Sequence, residues 1–183
     1  MATPVRILLV SGSLRAGSTN AAVLRTAGTR ALDGIETVAY HGMATLPHFN
    51  PDDDFDPLPP AVVELRAAIA SADAVLFCTP EYAGALPGSF KNLLDWTVGG
   101  GEVYGKPVAW INIAGVHAPT RGTSAHASLR TVLGYVGAEV VEPATGAIPV
   151  PRQAVEEDGL IRDREIVAAI ERALVALSAH VRR

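Results

Sequence analysis

Between Ser11 and Asn20 the chain gathers side chains that suit an anion. Ser11, Ser13, Ser18 and Thr19 carry hydroxyls, Asn20 an amide, and Arg15 is the only fixed positive charge in the stretch. Hydroxyl, amide and guanidinium N–H and O–H groups are the donors that phosphate oxygens accept from. The run before them, Val5-Arg6-Ile7-Leu8-Leu9-Val10, is apolar enough for a strand buried on both faces. Ser18 or Asn20 can cap a following helix, whose first backbone N–H groups lack internal partners. A strand, a small-residue turn and a helix start together make an anion site, because free backbone donors and the positive end of the helix dipole converge there.

Spacing separates three phosphate motifs. A dinucleotide fingerprint needs Gly-x-Gly-x-x-Gly, and only Gly12 and Gly17 are in place. A Walker A loop fits from Gly12 to Thr19 except that Ser18 stands where the phosphate-binding lysine belongs, and the next apolar run, 74–78, ends in Thr79-Pro80 without an aspartate for magnesium. What remains is a loop for a terminal monophosphate, or an ordinary capped strand-to-helix turn.

The pattern Gly12-Ser13-x-Arg15-x-x-Ser18-x-Asn20 resembles the phosphate loop of the NADPH-dependent FMN reductase family, flavodoxin-like proteins that include quinone, azo and chromate reductases. A second segment is similar to the family's isoalloxazine loop and following helix, at Thr79-Pro80-Glu81-Tyr82, Pro87-Gly88 and Lys91-Asn92-x-x-Asp95-Trp96. The alternating element order extends the resemblance over nearly the whole chain. It implies an FMN cofactor held by Ser11, Ser13, Arg15, Ser18, Thr19 and Asn20 at its phosphate. Pro80, Glu81, Tyr82, Ala83, Gly84 and Gly115 would lie along its ring. It further implies NADPH or NADH as co-substrate, hydride passing to a small-molecule electron acceptor by a ping-pong mechanism, no catalytic side chain, and a homodimer or homotetramer. Arg15 or Arg121 could meet a 2′-phosphate. Ala83 and Ala85 stand where the family carries Asn and a small hydroxyl residue. Backbone contacts survive that change, but each lost side-chain hydrogen bond is worth roughly 0.5–1.5 kcal/mol, several-fold to about 100-fold in affinity together. Two alternatives stay open: a flavodoxin-like electron carrier, and a degenerate flavin-binding module. An esterase reading fails because Gly122-Thr123-Ser124-Ala125-His126 lacks the closing glycine of a nucleophile elbow.

The remaining composition bounds the function. The chain has 183 residues, 49% hydrophobic and 19% charged, enough for one domain with a real core and without an apolar run long enough to span a membrane. Its first residues enter a strand with no charged leader and apolar signal core, so the expected location is the cytoplasm. A net charge of −4 leaves no basic footprint for nucleic acid. The lone Cys78 excludes an internal disulfide and sits in an apolar run as a packing residue, while His41, His48, His117, His126 and His180 lack zinc spacing, so no metal is expected.

The elements that must position these residues follow from periodicity. After the strand at 5–10 come a helix over 21–32, a short strand at 35–40, and a proline-rich loop over 41–60 whose Asp52-Asp53-Asp54 and Asp56 read as a solvated acidic surface. Pro59-Pro60 opens a helix up to Ser71, and a uniformly apolar strand at 74–78 delivers Pro80-Glu81-Tyr82. A helix from Pro87-Gly88 ends at Gly99-Gly100-Gly101. A strand at 107–114, a loop at 115–122, a helix at 123–136 and a short strand at 139–141 follow, with 143–151 irregular. The last helix presents Ile161, Ile166, Ile170, Leu174 and Leu177 on one face. This alternation predicts a five-stranded parallel sheet with right-handed crossovers, expected in order 2-1-3-4-5, and ligand loops at its C-terminal edge, and the resemblance implies a flavodoxin-like three-layer α/β sandwich with helices on both faces.

Overall fold

A computed structural model describes residues 3–113 and 122–183. The first apolar run forms β1 (Val5–Ser11), with Ile7 and Leu9 buried on one face and Leu8 and Val10 buried on the other. β2 (Ile35–Tyr40) lies at one edge, and β3 (Ala74–Thr79) is buried along its whole length. β4 (Pro107–Asn112) and the two-residue β5 (Glu139–Val140) complete the order β2-β1-β3-β4-β5, every pairing parallel. Strands buried on both faces need helices on both sides. On one face, α1 (Thr19–Gly28) packs Ala22, Val23 and Ala27 beside Ile170, Leu174 and Leu177 of α5 (Arg164–Val181). The other face is covered by α2 (Pro60–Ala70), α3 (Gly88–Asp95) and α4 (Thr123–Tyr135), which supply Leu65, Ile69, Phe90, Leu93, Leu129 and Leu133. The layers are those of a flavodoxin-like sandwich.

The sheet has six strands, not five. Gly146–Ala147 forms β6 inside the stretch read as irregular and pairs with the far half of β4, Ile111 opposite Gly146 and Asn112 opposite Ala147. β5 holds the near half, Pro107 opposite Glu139 and Val108 opposite Val140. A 3-10 turn at Glu142–Ala144, with Pro143 inside it, divides what would otherwise be one edge strand.

Three further expectations need correction. α1 stops at Gly28, short of residue 32, because the Thr29 hydroxyl donates to Thr26 O at 2.8 Å and competes for the helix's own carbonyls. Ile161 does not belong to the last helix: it forms a bridge with Val155 and is buried ahead of α5, whose cap is Asp163, accepting from Glu165 N at 3.0 Å and Ile166 N at 3.1 Å. The acidic loop is not wholly solvated either. Asp54 pairs with Arg66 at 2.5 Å, both side chains only 11% exposed.

Candidate functional site

Register brings the predicted loops together. Ser11 lies opposite Cys78 and Thr79 opposite Asn112, so the C-terminal ends of β1, β3 and β4 align within about one residue. At roughly 4.8 Å between neighbouring strands, the loops leaving the outer two start roughly 10 Å apart. Gly12 N–H donates to Cys78 O at 2.8 Å, and a Cβ on Gly12 would fall 2.4 Å from Thr79 Oγ1. Only glycine lets the first loop lie that close to β3.

Within the first loop the hydroxyls divide their work. The Ser11 hydroxyl accepts from Ser13 N at 3.2 Å and reaches Ser13 O at 3.4 Å, so it shapes the turn from inside. Ser13 Oγ accepts from Arg15 N at 3.3 Å, and Ser18 Oγ accepts from Ala21 N at 3.5 Å as the cap of α1. Both keep a hydroxyl proton for a ligand. Thr19 and Asn20 occupy the first turn of α1, where their N–H groups take no backbone partner among the described residues. Arg15 is exposed and makes no ion pair among the described residues. Asn20 is buried, and its side-chain oxygen accepts from the Cys78 thiol at 3.4 Å, which orients the amide NH2 as the remaining donor. Burial pushes the Cys78 thiol up, which keeps it protonated and removes it from nucleophilic chemistry.

The second loop is a tight reversal. Tyr82 N donates to Ala85 O and Ala85 N to Tyr82 O, both at 3.0 Å, around Ala83 at φ +51° and Gly84 at φ +73°. Two central residues with positive φ make a type I′ shape. The N–H groups of Ala83 and Gly84 take no part in those two bonds and stand on the exposed crest, with Tyr82 beside them at 49% exposure. Pro80 and Glu81 are half-buried below. Glu81 Oε2 accepts the Ala125 N–H of α4 at 3.0 Å, so the second loop grips the helix that follows the third. Gly115 and Arg121 lie outside the described residues.

A sequence model of the NADPH-dependent FMN reductases matches residues 5–151, a span that includes both loops. The chain belongs to that family. It is 33% identical to an NAD(P)H-dependent FMN reductase of Pseudomonas aeruginosa over 186 aligned positions, covering 100% of this chain and 98% of that protein. A quinone reductase of Escherichia coli is 37% identical over 97 residues, 52% of each chain. Among solved structures, the flavoenzyme NAD(P)H:(acceptor) oxidoreductase of Paracoccus denitrificans superposes with a TM-score of 0.75 at 28% identity, covering 96% of this chain and 98% of its own. As an NADPH-dependent FMN reductase by family, the chain is an oxidoreductase that works with FMN and a nicotinamide reductant.

In this FMN reductase the segment carrying Lys91, Asn92, Asp95 and Trp96 serves the scaffold. Lys91 and Asp95 pair at 2.5 Å. Asn92 Nδ2 and Trp96 Nε1 both donate to Pro47 O at 2.9 Å, and Asn92 Oδ1 accepts from Phe49 N at 2.7 Å. Phe49 packs edge-on against Trp96 at 5.0 Å. α3 thereby pins the proline-rich loop with three hydrogen bonds. The sequence carried the i, i+4 pairing of Lys91 and Asp95, whereas Asn92 and Trp96 were located through the resemblance without a role; an amide and an indole one turn apart are the signal that was there to use.

Proposed function

We propose that the chain takes hydride from NADPH or NADH and passes the electrons to a small acceptor, a quinone, an azo compound, a metal oxyanion or free flavin, at one open site on the C-terminal edge of its sheet. Bound FMN would supply the redox chemistry there, with hydride acceptance at its central ring. The donor set fits its phosphate. Arg15, the Ser13 and Ser18 hydroxyls, the Thr19 and Asn20 backbone N–H groups and the Asn20 amide point to one small anion, and Ser11 shapes the loop that presents them. On the second loop, the Ala83 and Gly84 N–H groups and the Tyr82 ring offer donors and an aromatic face to a flat, electron-rich ligand. Gly115 belongs to the third wall on this reading.

No nucleophile or general acid is required of the chain, whose task is to hold, align and favour negative charge on the ligand. Because reductant and acceptor take turns on one open face, the kinetics are ping-pong. A second copy closing the exposed side completes the site, so a dimer or tetramer is the expected mass by light scattering at micromolar concentration, and a strict monomer would count against it.

The observation that carries the reading is an Arg15 with no ion pair among the described residues, beside helix-start donors and one strand away from a turn whose two central N–H groups likewise take no backbone partner among them. FMN-loaded protein mixed anaerobically with NADPH, and separately with NADH, should lose its flavin absorbance in a stopped-flow mixer. If neither nucleotide bleaches the flavin while dithionite does, the electron-carrier alternative replaces the reductase.

A further inference from the structure

Glu81 stands between Pro80 and Tyr82, in the loop assigned above to the flavin ring, yet its carboxylate turns away from the crest and accepts the Ala125 N–H at 3.0 Å. Ala125 is the third residue of α4, whose first N–H groups have no partner within the helix. The helix's own cap position is Gly122, at φ +79°, with no side chain to accept them. Nor can a serine or aspartate be placed there: a Cβ on Gly122 would lie 2.1 Å from the Asn112 amide. α4 therefore borrows its cap from another loop, and a carboxylate at that end is further favoured by the helix dipole.

The geometry points to Glu81 as a positioning residue that sets the flavin-ring loop through α4. The turn at 82–85 is held on one side by β3, where Thr79 is fully buried, and on the other by the Glu81 carboxylate on α4. One side chain thus ties the turn at 82–85 to the first turn of α4. This assignment rests on the proposed flavin site.

The test compares the native chain with Glu81→Gln and Glu81→Ala by two readouts. One is the FMN dissociation constant from flavin fluorescence quenching; the other is hydrogen exchange of the Ala125 amide in the cofactor-free protein. Glutamine retains an acceptor oxygen, so its dissociation constant should stay within about threefold of native with Ala125 still protected. Alanine should raise the dissociation constant about tenfold or more and speed Ala125 exchange by a similar factor. The proposal is overturned if Glu81→Ala leaves Ala125 protection unchanged, if it leaves FMN affinity unchanged, or if Gln and Ala weaken FMN equally, which would make Glu81 a direct charged contact. Should the native chain bind no FMN while Ala125 exchange responds as expected, the cap stands and the flavin reading falls.

Discussion

Ala83 sits at φ +51° in a turn that glycine, asparagine or aspartate would enter with less strain. An L-residue with a Cβ loses roughly 1 kcal/mol or more in the left-handed region, and asparagine recovers part of that through local hydrogen bonding. Ala83→Asn should raise the unfolding free energy by about 0.5–1 kcal/mol, read as a higher urea midpoint at unchanged slope. An unchanged midpoint would show that the loop relaxes around alanine. Arg15 presents the opposite situation, a charge with no ion pair among the described residues. Arg15→Ala should leave the melting temperature within a degree or two while weakening FMN binding by roughly 1.5–3 kcal/mol, the worth of a charge-assisted bond. Equal affinities by isothermal titration would remove Arg15 from the phosphate site. Tyr40 offers a third case: its hydroxyl is buried without a partner among the described residues, and burial, then the Glu64 charge, pushes the phenol up to about 12. Tyr40→Phe deletes that unpaired group at nearly constant volume, so stability should hold or rise by about 1 kcal/mol.

Arg66 of α2 joins elements that are distant in sequence. Its guanidinium donates to Trp96 O at 2.9 and 3.1 Å and to Asp54 at 2.5 Å, and lies 3.9 Å from Glu102. Gly99 and Gly100 leave room for this cluster, since a Cβ on either would meet the Asp54 or Glu102 carboxylate at about the length of a hydrogen bond or less. Arg66→Leu would leave the Asp54 carboxylate without its cation at 11% side-chain exposure, with an expected loss of roughly 1–3 kcal/mol in urea unfolding, whereas Asp54→Asn should cost less because it keeps an acceptor. The same cluster marks where the sequence stopped being legible. β1, β2 and β3 were read to within a residue because long apolar runs bounded by polar residues have one good solution in a covered parallel sheet. The turn and helix start after β1 were legible because the residues that form them are consecutive. β6 was not: two residues, Gly146 and Ala147, carry no periodicity, and only β4 beside them makes a strand of them. Asp54 and Ile161 were misjudged, and the partner of the Glu81 carboxylate went unread, for one common reason. Each is defined by a partner on another element, Asp54 by Arg66 of α2, Glu81 by Ala125 of α4, and Ile161 by Thr26 of α1, whose hydroxyl accepts the Ile161 N–H at 3.0 Å.

At the scale of the molecule, the last helix closes the core that the first strand opens, α5 packing against the same buried face as β1 and α1. We propose on this ground that residues 1–183 unfold as one domain, with far-ultraviolet circular dichroism and tryptophan fluorescence giving one coincident transition. That cooperativity lets one buried group be read in the stability of the whole. His126 Nε2 is buried without a hydrogen-bond partner among the described residues, and the ring packs edge-on to Trp110 at 5.7 Å. Burial first, and then the Arg130 charge, hold its pKa below the ordinary 6.5, with Glu81 opposing them. A histidine whose native pKa is lowered binds fewer protons folded than unfolded once the pH drops below about 6.5, so stability is constant above that value and is lost as the pH falls toward the native pKa. The Glu142 and Asp158 carboxyls, held down by Arg130 and Arg162, give up their contributions only at lower pH, beginning below about 4.5. Between pH 7 and 5, then, urea midpoints of the native chain should fall, and those of His126→Phe, which keeps an aromatic ring against Trp110 and carries no proton, should fall less. Parallel curves for the two proteins across that window would mean that His126 takes up its proton as readily in the fold as in the unfolded chain.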